Sequence, residues 1–172
     1  MSAEEEVKEH IEHAHEPFDK VVAGSMAIIA ALLAVVSVLG QHYNTEELLK
    51  QQQASDEWAF SQAKDIRRYI ASATQDSLAQ AKADGKTISK YADDSAKYEK
   101  QRLEIQKTAR DFEKERDESA KKASRFHFGE VFLEISIVLS SLSILAKRRP
   151  LYFGAIGSAL FGLVWAATGL AN

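Results

Sequence analysis

Cysteine is absent from the 172 residues, so disulfides, thiolate metal sites and a cysteine nucleophile are excluded. Proline occurs only 2 times and glycine 8 times, which argues against disorder as the class of the whole chain. The formal net charge of -3 gives no electrostatic reason to expect nucleic acid. No Gly-rich phosphate loop, nucleophile elbow or His-Glu-x-x-His is present, so catalysis has no foothold. What the chain does have is a partition. Hydrophobic residues make up 45% and charged residues 27%, but the two are segregated. Val21 to Gly40 and Leu151 to Leu170 carry no charge, and Val131 to Ala146 carries one carboxylate, Glu134. A single soluble core would mix the two kinds and is therefore not expected.

A membrane-spanning helix needs about 20 apolar residues at about 1.5 Å each to cross roughly 30 Å of hydrocarbon. The first and third runs meet that. The first is too long for a signal-peptide core and lacks a basic region before it, so it reads as a permanent span. The second is short and reaches full length only by starting near Phe126 or His127. All three must be helical, because an isolated strand leaves its backbone unsatisfied in lipid.

The expectation is an all-α integral membrane protein with three transmembrane helices and a long antiparallel helical (coiled-coil) hairpin between the first and second. Its parts are an acidic amphipathic tail (1–16), span one (17–40), the hairpin (41–128, turn at 84–86), span two (129–146), a basic loop (147–150) and span three (151–170). Lys147-Arg148-Arg149 is a positive-inside mark, which favours the amino terminus in the cytoplasm and the hairpin in the periplasm, against an even tally in which Lys50, Arg116, Lys121, Lys122 and Arg125 balance the basic residues of the other side.

Within the hairpin, Asn44 and Glu47 form a capping pattern, so a helix is expected to restart after Gly40. Asp84-Gly85 is the one strong breaker. Both arms keep a three-four spacing of seam residues. On the first arm the seam includes Asp56, Ala59, Ala63 and Ile66. On the second it runs from Ile88 through Ile105, Phe112 and Arg116 to Phe126. Folding about the turn pairs positions summing to roughly 171 or 172, setting Ala59 against Phe112, Ile66 against Ile105 and Asp56 against Arg116. The seam is polar, and a two-helix pair this thin is marginal alone, so a partner is implied, most simply another copy.

The stretch Ala54-Ser55-Asp56-Glu57-Trp58-Ala59-Phe60-Ser61-Gln62-Ala63-Lys64, together with Leu145-Ala146-Lys147-Arg148-Arg149, resembles a bacterial membrane-protein family. That family is known only as domain of unknown function 4337. The resemblance extends over Phe18 to Leu170 in the order of parts: one span, a Trp-bearing helix, a charged helix ending Glu113-Lys114-Glu115-Arg116-Asp117, and two closing spans. It implies an integral membrane protein and no assigned activity; a bacterial inner-membrane location is the expectation for such a chain.

Glu130 and Glu134 lie four apart, with His127 a turn before. The sharp reading is a proton, cation or metal site; the bland one is a headgroup-level cluster. Glu134 is deepest, and is expected to face another helix. His10, His13 and His15 lie together in the acidic tail, where Ser2 and Glu5 suggest a capping box. Gly154, Ser158 and Gly162 recur every four residues, as in close helix packing. Ser136, Ser140 and Ser143 are placed to hydrogen-bond across helices or to their own backbone. Tyr152 and Trp165 read as interfacial anchors. Trp58, Phe60 and Tyr69 suggest an apolar surface for a partner.

These features point to a non-enzymatic membrane scaffold or accessory subunit. It would be oligomeric or held in a larger membrane complex, with the bilayer as its other partner and no cofactor. The alternative is a small oligomeric channel or transporter with Glu134 lining a polar path.

Overall fold

A computed structural model describes residues 17–171. The tail expected at 1–16, with His10, His13 and His15, lies outside the described residues. The chain is all-helical over that range: α1 (Pro17–Gln80, 64 residues), α2 (Gly85–Ala146, 62 residues) and α3 (Arg149–Ala171, 23 residues). Each contains a stretch long and apolar enough to cross a membrane by length and composition.

The helix break expected after Gly40 is not there; α1 runs through it. Gly40 serves close approach instead. It is buried, and a Cβ there would stand 3.2 Å from the Cβ of Phe126. Thr45 donates its hydroxyl to the carbonyl of Gln41 one turn back, which keeps the local bonding within the helix.

The chain forms two compact units. One combines the described residues 17–45 with 119–171. Its core takes Val22, Met26, Ile29, Leu33 and Val36 from α1, at alternating intervals of four and three. Phe126, Leu133 and Ile137 of α2, and Ala159 and Ala166 of α3, complete it. Phe126 is a fixed point at one end. It is 1% exposed and stacks on Tyr43 with centroids 5.6 Å apart. Phe18 meets Tyr152 edge-on at 5.8 Å at the other end of α1's apolar stretch.

The other unit, Glu46–Glu118, is an antiparallel pair made by α1 and α2. Gln51–Arg116, Asp65–Arg102 and Arg68–Glu99 are cross-helix pairs, each totalling 167 in residue number. These three pairs lie four to five residues, about one helical turn, from the expected register, whereas Trp58–Glu113 totals 171 and keeps it. The turn explains the shift. Lys82 takes the left-handed conformation (φ 53°), whereas Gly85 does not. Ala83 N–H bonds the Leu78 carbonyl and Lys82 N–H that of Ala79, the two bonds of a Schellman cap. Asp84 already opens α2 by accepting from the Ile88 amide. The reversal occupies 81–84 rather than 84–86.

The phase of the first arm also differs from expectation. The second-arm residues Ile105, Phe112 and Arg116 are half-buried, as a seam requires. On α1, however, Asp56, Ala59, Ala63 and Ile66 are exposed. The face turned to α2 carries Ala54, Ser61 and Ala71 instead, each at most 5% exposed. These small side chains allow close approach and leave the more apolar face of α1 outside. Asp56 accordingly does not meet Arg116. Gln52 donates to Asp56 along the same helix at 2.9 Å, and Arg116 donates to Gln51 at 2.7 Å.

The link between α2 and α3 repeats the capping solution. Lys147 is left-handed (φ 51°), with Lys147 N–H bonded to Ile144 and Arg148 N–H to Ser143. α3 begins at Arg149, so Pro150 lies in its first turn, where a missing N–H costs nothing.

Candidate functional site

Small residues bring α2 and α3 together. α3 buries Ala155, Ala159, Gly162, Ala166 and Gly169. Gly162 sits against Gly129 of α2; a Cβ on Gly162 would be 2.7 Å from the Gly129 carbonyl oxygen. Ser158, half-buried, donates to the Phe132 carbonyl at 2.8 Å. Gly154 is not part of this contact, since it is exposed with open space where its Cβ would stand. The expected interval of four is replaced by alternating fours and threes, the spacing that keeps one helix face against a neighbour. Gly129 went unread in the sequence, although Gly-Glu inside a run of bulky residues was a signal for it.

Further along, Arg125 donates to the Thr168 carbonyl at 2.6 Å, placing a cation on the last turn of α3. Phe132 meets Phe161 edge-on at 4.6 Å. These pairs fix the relative level of α2 and α3. Glu134, half a turn beyond Phe132, is level with Ile156–Ala159, close to the middle of α3.

Within the chain Glu134 does not face α1 or α3, so the helix it is expected to face is not one of its own. It is exposed, on an outward surface with Val131, Val138 and Leu145, which are 48%, 59% and 82% exposed. Glu130 and His127 pair separately, Nδ1 to Oε2 at 3.2 Å, with the imidazole exposed. The trio is thus split. Among the described residues, no group of three or more His, Cys, Asp and Glu is arranged to hold a metal. Ser136, Ser140 and Ser143 are fully buried on the opposite side of α2, and their hydroxyls have no hydrogen-bond partner among the described residues.

In the antiparallel unit, two short motifs form an ionic quartet. Asp65-x-x-Arg68 on α1 faces Glu99-x-x-Arg102 on α2. Arg68 Nε is 2.9 Å from Asp65 and 3.2 Å from Glu99; Arg102 Nη2 is 2.6 Å from Glu99. The hydrogen bond from Arg102, aided by the charges of Arg102 and Arg68, holds the Glu99 carboxyl below its usual range. The guanidinium of Arg68 also lies 4.2 Å from the Tyr69 ring centroid. The matched acid-x-x-Arg spacing on both arms is the sequence signal for this pairing.

The expected aromatic surface is divided. Trp58 is half-buried and donates Nε1–H to Glu113 at 2.9 Å, so it belongs to the pair itself. Phe60 and Tyr69 remain outside, 60% and 61% exposed. They flank the stripe left outward by the phase of α1, which includes Leu49, Ala59, Ala63, Ile66 and Ile70. Between Leu48 and Ala73, only Asp56 and Arg67 are charged among fifteen exposed residues. On α2, thirteen of the eighteen exposed residues from Lys86 to Glu118 are charged. One arm has an ordinary solvated surface and the other does not.

The family described as "Domain of unknown function (DUF4337)" matches residues 18–172, and the chain belongs to it. No curated protein and no solved structure matches the chain.

Proposed function

We propose that this member of the family is a non-enzymatic integral membrane subunit. The apolar parts of α1, α2 and α3 cross the bacterial inner membrane, and the chain acts within an assembly rather than alone. The three-residue basic run at 147–149 favours placing that loop in the cytoplasm. The observation that carries the reading is Glu134. With α3 spanning the bilayer, a carboxylate level with its middle would face lipid. That exposure costs about 2.5–3.5 kcal/mol on insertion scales. A protein neighbour on the outward face of α2 removes the cost. The weakly charged outer stripe of α1 supports the same conclusion from the other unit.

The alternative reading is a channel formed between copies. The outward position of Glu134 favours a path along the boundary between chains over one through a single bundle.

The test is native mass spectrometry of the full chain extracted in mild detergent, with ion leak measured in liposomes. For a structural subunit, Glu134→Gln retains the assembly, Glu134→Leu weakens it, and neither changes leak. For a channel, Glu134→Gln abolishes flux with the assembly intact. A lone chain in native extracts, or Glu134→Leu without effect on mass or leak, rejects both.

A further inference from the structure

We infer that the outward stripe of α1, from Leu49 to Ala73, pairs in parallel with the same stripe of a second copy; this rests on the subunit reading above. The stripe is itself a continuous heptad. Leu49, Gln52, Asp56, Ala59, Ala63, Ile66, Ile70 and Ala73 alternate intervals of three and four and are all exposed. Leu49, Ile66 and Ile70 are 54%, 60% and 61% exposed. Such spacing is the requirement for a helix to present one seam to another helix over its whole length.

Three observations select a copy of this chain as the occupant. Copies inserted in one membrane with one topology hold their α1 helices parallel, so a two-fold axis sets each seam residue against itself without further adjustment. The positions flanking the seam are Leu48, Gln53, Ser55, Phe60, Gln62, Arg67 and Tyr69, of which Arg67 alone is charged. Like charges that would separate identical helices are therefore nearly absent, whereas the outer face of α2 would repel its copy. Within the seam, Ala59 and Ala63 admit close approach beside the Ile66 and Ile70 layers. The exception is Asp56, which meets its copy. Gln52 already donates to it, making a polar layer that fixes register at a cost in stability.

The absence of cysteine permits a direct test in native membranes. Ala63→Cys in the full-length chain, treated with copper phenanthroline, is expected to give a disulfide-linked dimer of the chain. Lys107→Cys, on the charged face of α2, is the reference and is expected to give little. Ile66→Glu in the Ala63→Cys background places a charge in the seam and is expected to lower the dimer yield at least about tenfold. Ile66 is exposed within the chain, so helical circular dichroism should be unchanged. Asp56→Asn should raise the yield. Failure of Ala63→Cys, Ala59→Cys and Ile70→Cys to crosslink, or equal yield at Lys107→Cys, overturns the proposal. Native mass of the unmodified chain separates the two failures. A larger assembly without stripe disulfides rejects only the second-copy seam; a lone chain rejects the subunit reading as well.

Discussion

Gly129 and Gly162 face one another so closely that a Cβ added to either would lie 2.7–2.8 Å from the other's carbonyl oxygen. Backbone blocks both positions, so relief requires α2 and α3 to separate. Gly129→Ala and Gly162→Ala should each destabilise the three-helix unit by about 1–3 kcal/mol. Gly154→Ala meets nothing within 4 Å and should be neutral or slightly stabilising. Thermal unfolding in detergent ranks the three variants, and equal melting temperatures would refute the close contact.

Lys82 accepts a left-handed backbone at the end of α1, a conformation glycine adopts without steric cost. Lys82→Gly should stabilise the antiparallel unit by up to about 1 kcal/mol, with the Schellman bonds retained. Gly85→Ala should be tolerated or mildly stabilising, because Gly85 is helical and open. Chemical denaturation of both variants checks the placement of the turn: a large loss from Gly85→Ala would return the reversal to 84–86.

Much of this architecture could be read from residue order, and the failures have physical causes. The apolar runs are long and almost uncharged, so three candidate spans were plain. The seam of α2 was legible because Ile105, Ala109 and Phe112 stand among charges and only one face can be buried. α1 offers two faces with the same repeat. The one with Ile66 and Ile70 looks more apolar, yet Ala54, Ser61 and Ala71 allow the tighter approach to α2. Periodicity supplies the spacing and cannot choose between such faces. The outward aim of Glu134 was hidden for a related reason: with apolar residues on nearly every side of that stretch, no pattern marks which side meets a neighbour.

The Asp65–Arg68–Glu99–Arg102 quartet makes the antiparallel unit sensitive to acid. The Glu99 carboxyl is held below its ordinary range by Arg102 first. Its contribution is therefore present above the unfolded pKa, about 4.3, and is lost as pH falls through the lower folded value. Unfolding of the native chain should become easier across that acidic window. Glu99→Gln should flatten that part of the profile while lowering stability at neutral pH. Identical pH profiles for the two proteins would remove Glu99 from the account.

The three buried serines of α2 provide the last prediction. Ser136, Ser140 and Ser143 lie on one face, 0% exposed, with hydroxyls unpartnered among the described residues. A hydroxyl without a hydrogen bond in an apolar interior costs about 1–3 kcal/mol. Alanine keeps the small volume that helix packing needs and removes that cost. Ser140→Ala should leave the melting temperature unchanged or raised, whereas Ser140→Leu should lower it by overpacking against α1 and α3. If Ser140→Ala instead destabilises the chain while Ser140→Thr restores it, the hydroxyl makes a bond that matters, and the serines are then structural donors rather than small residues retained for fit.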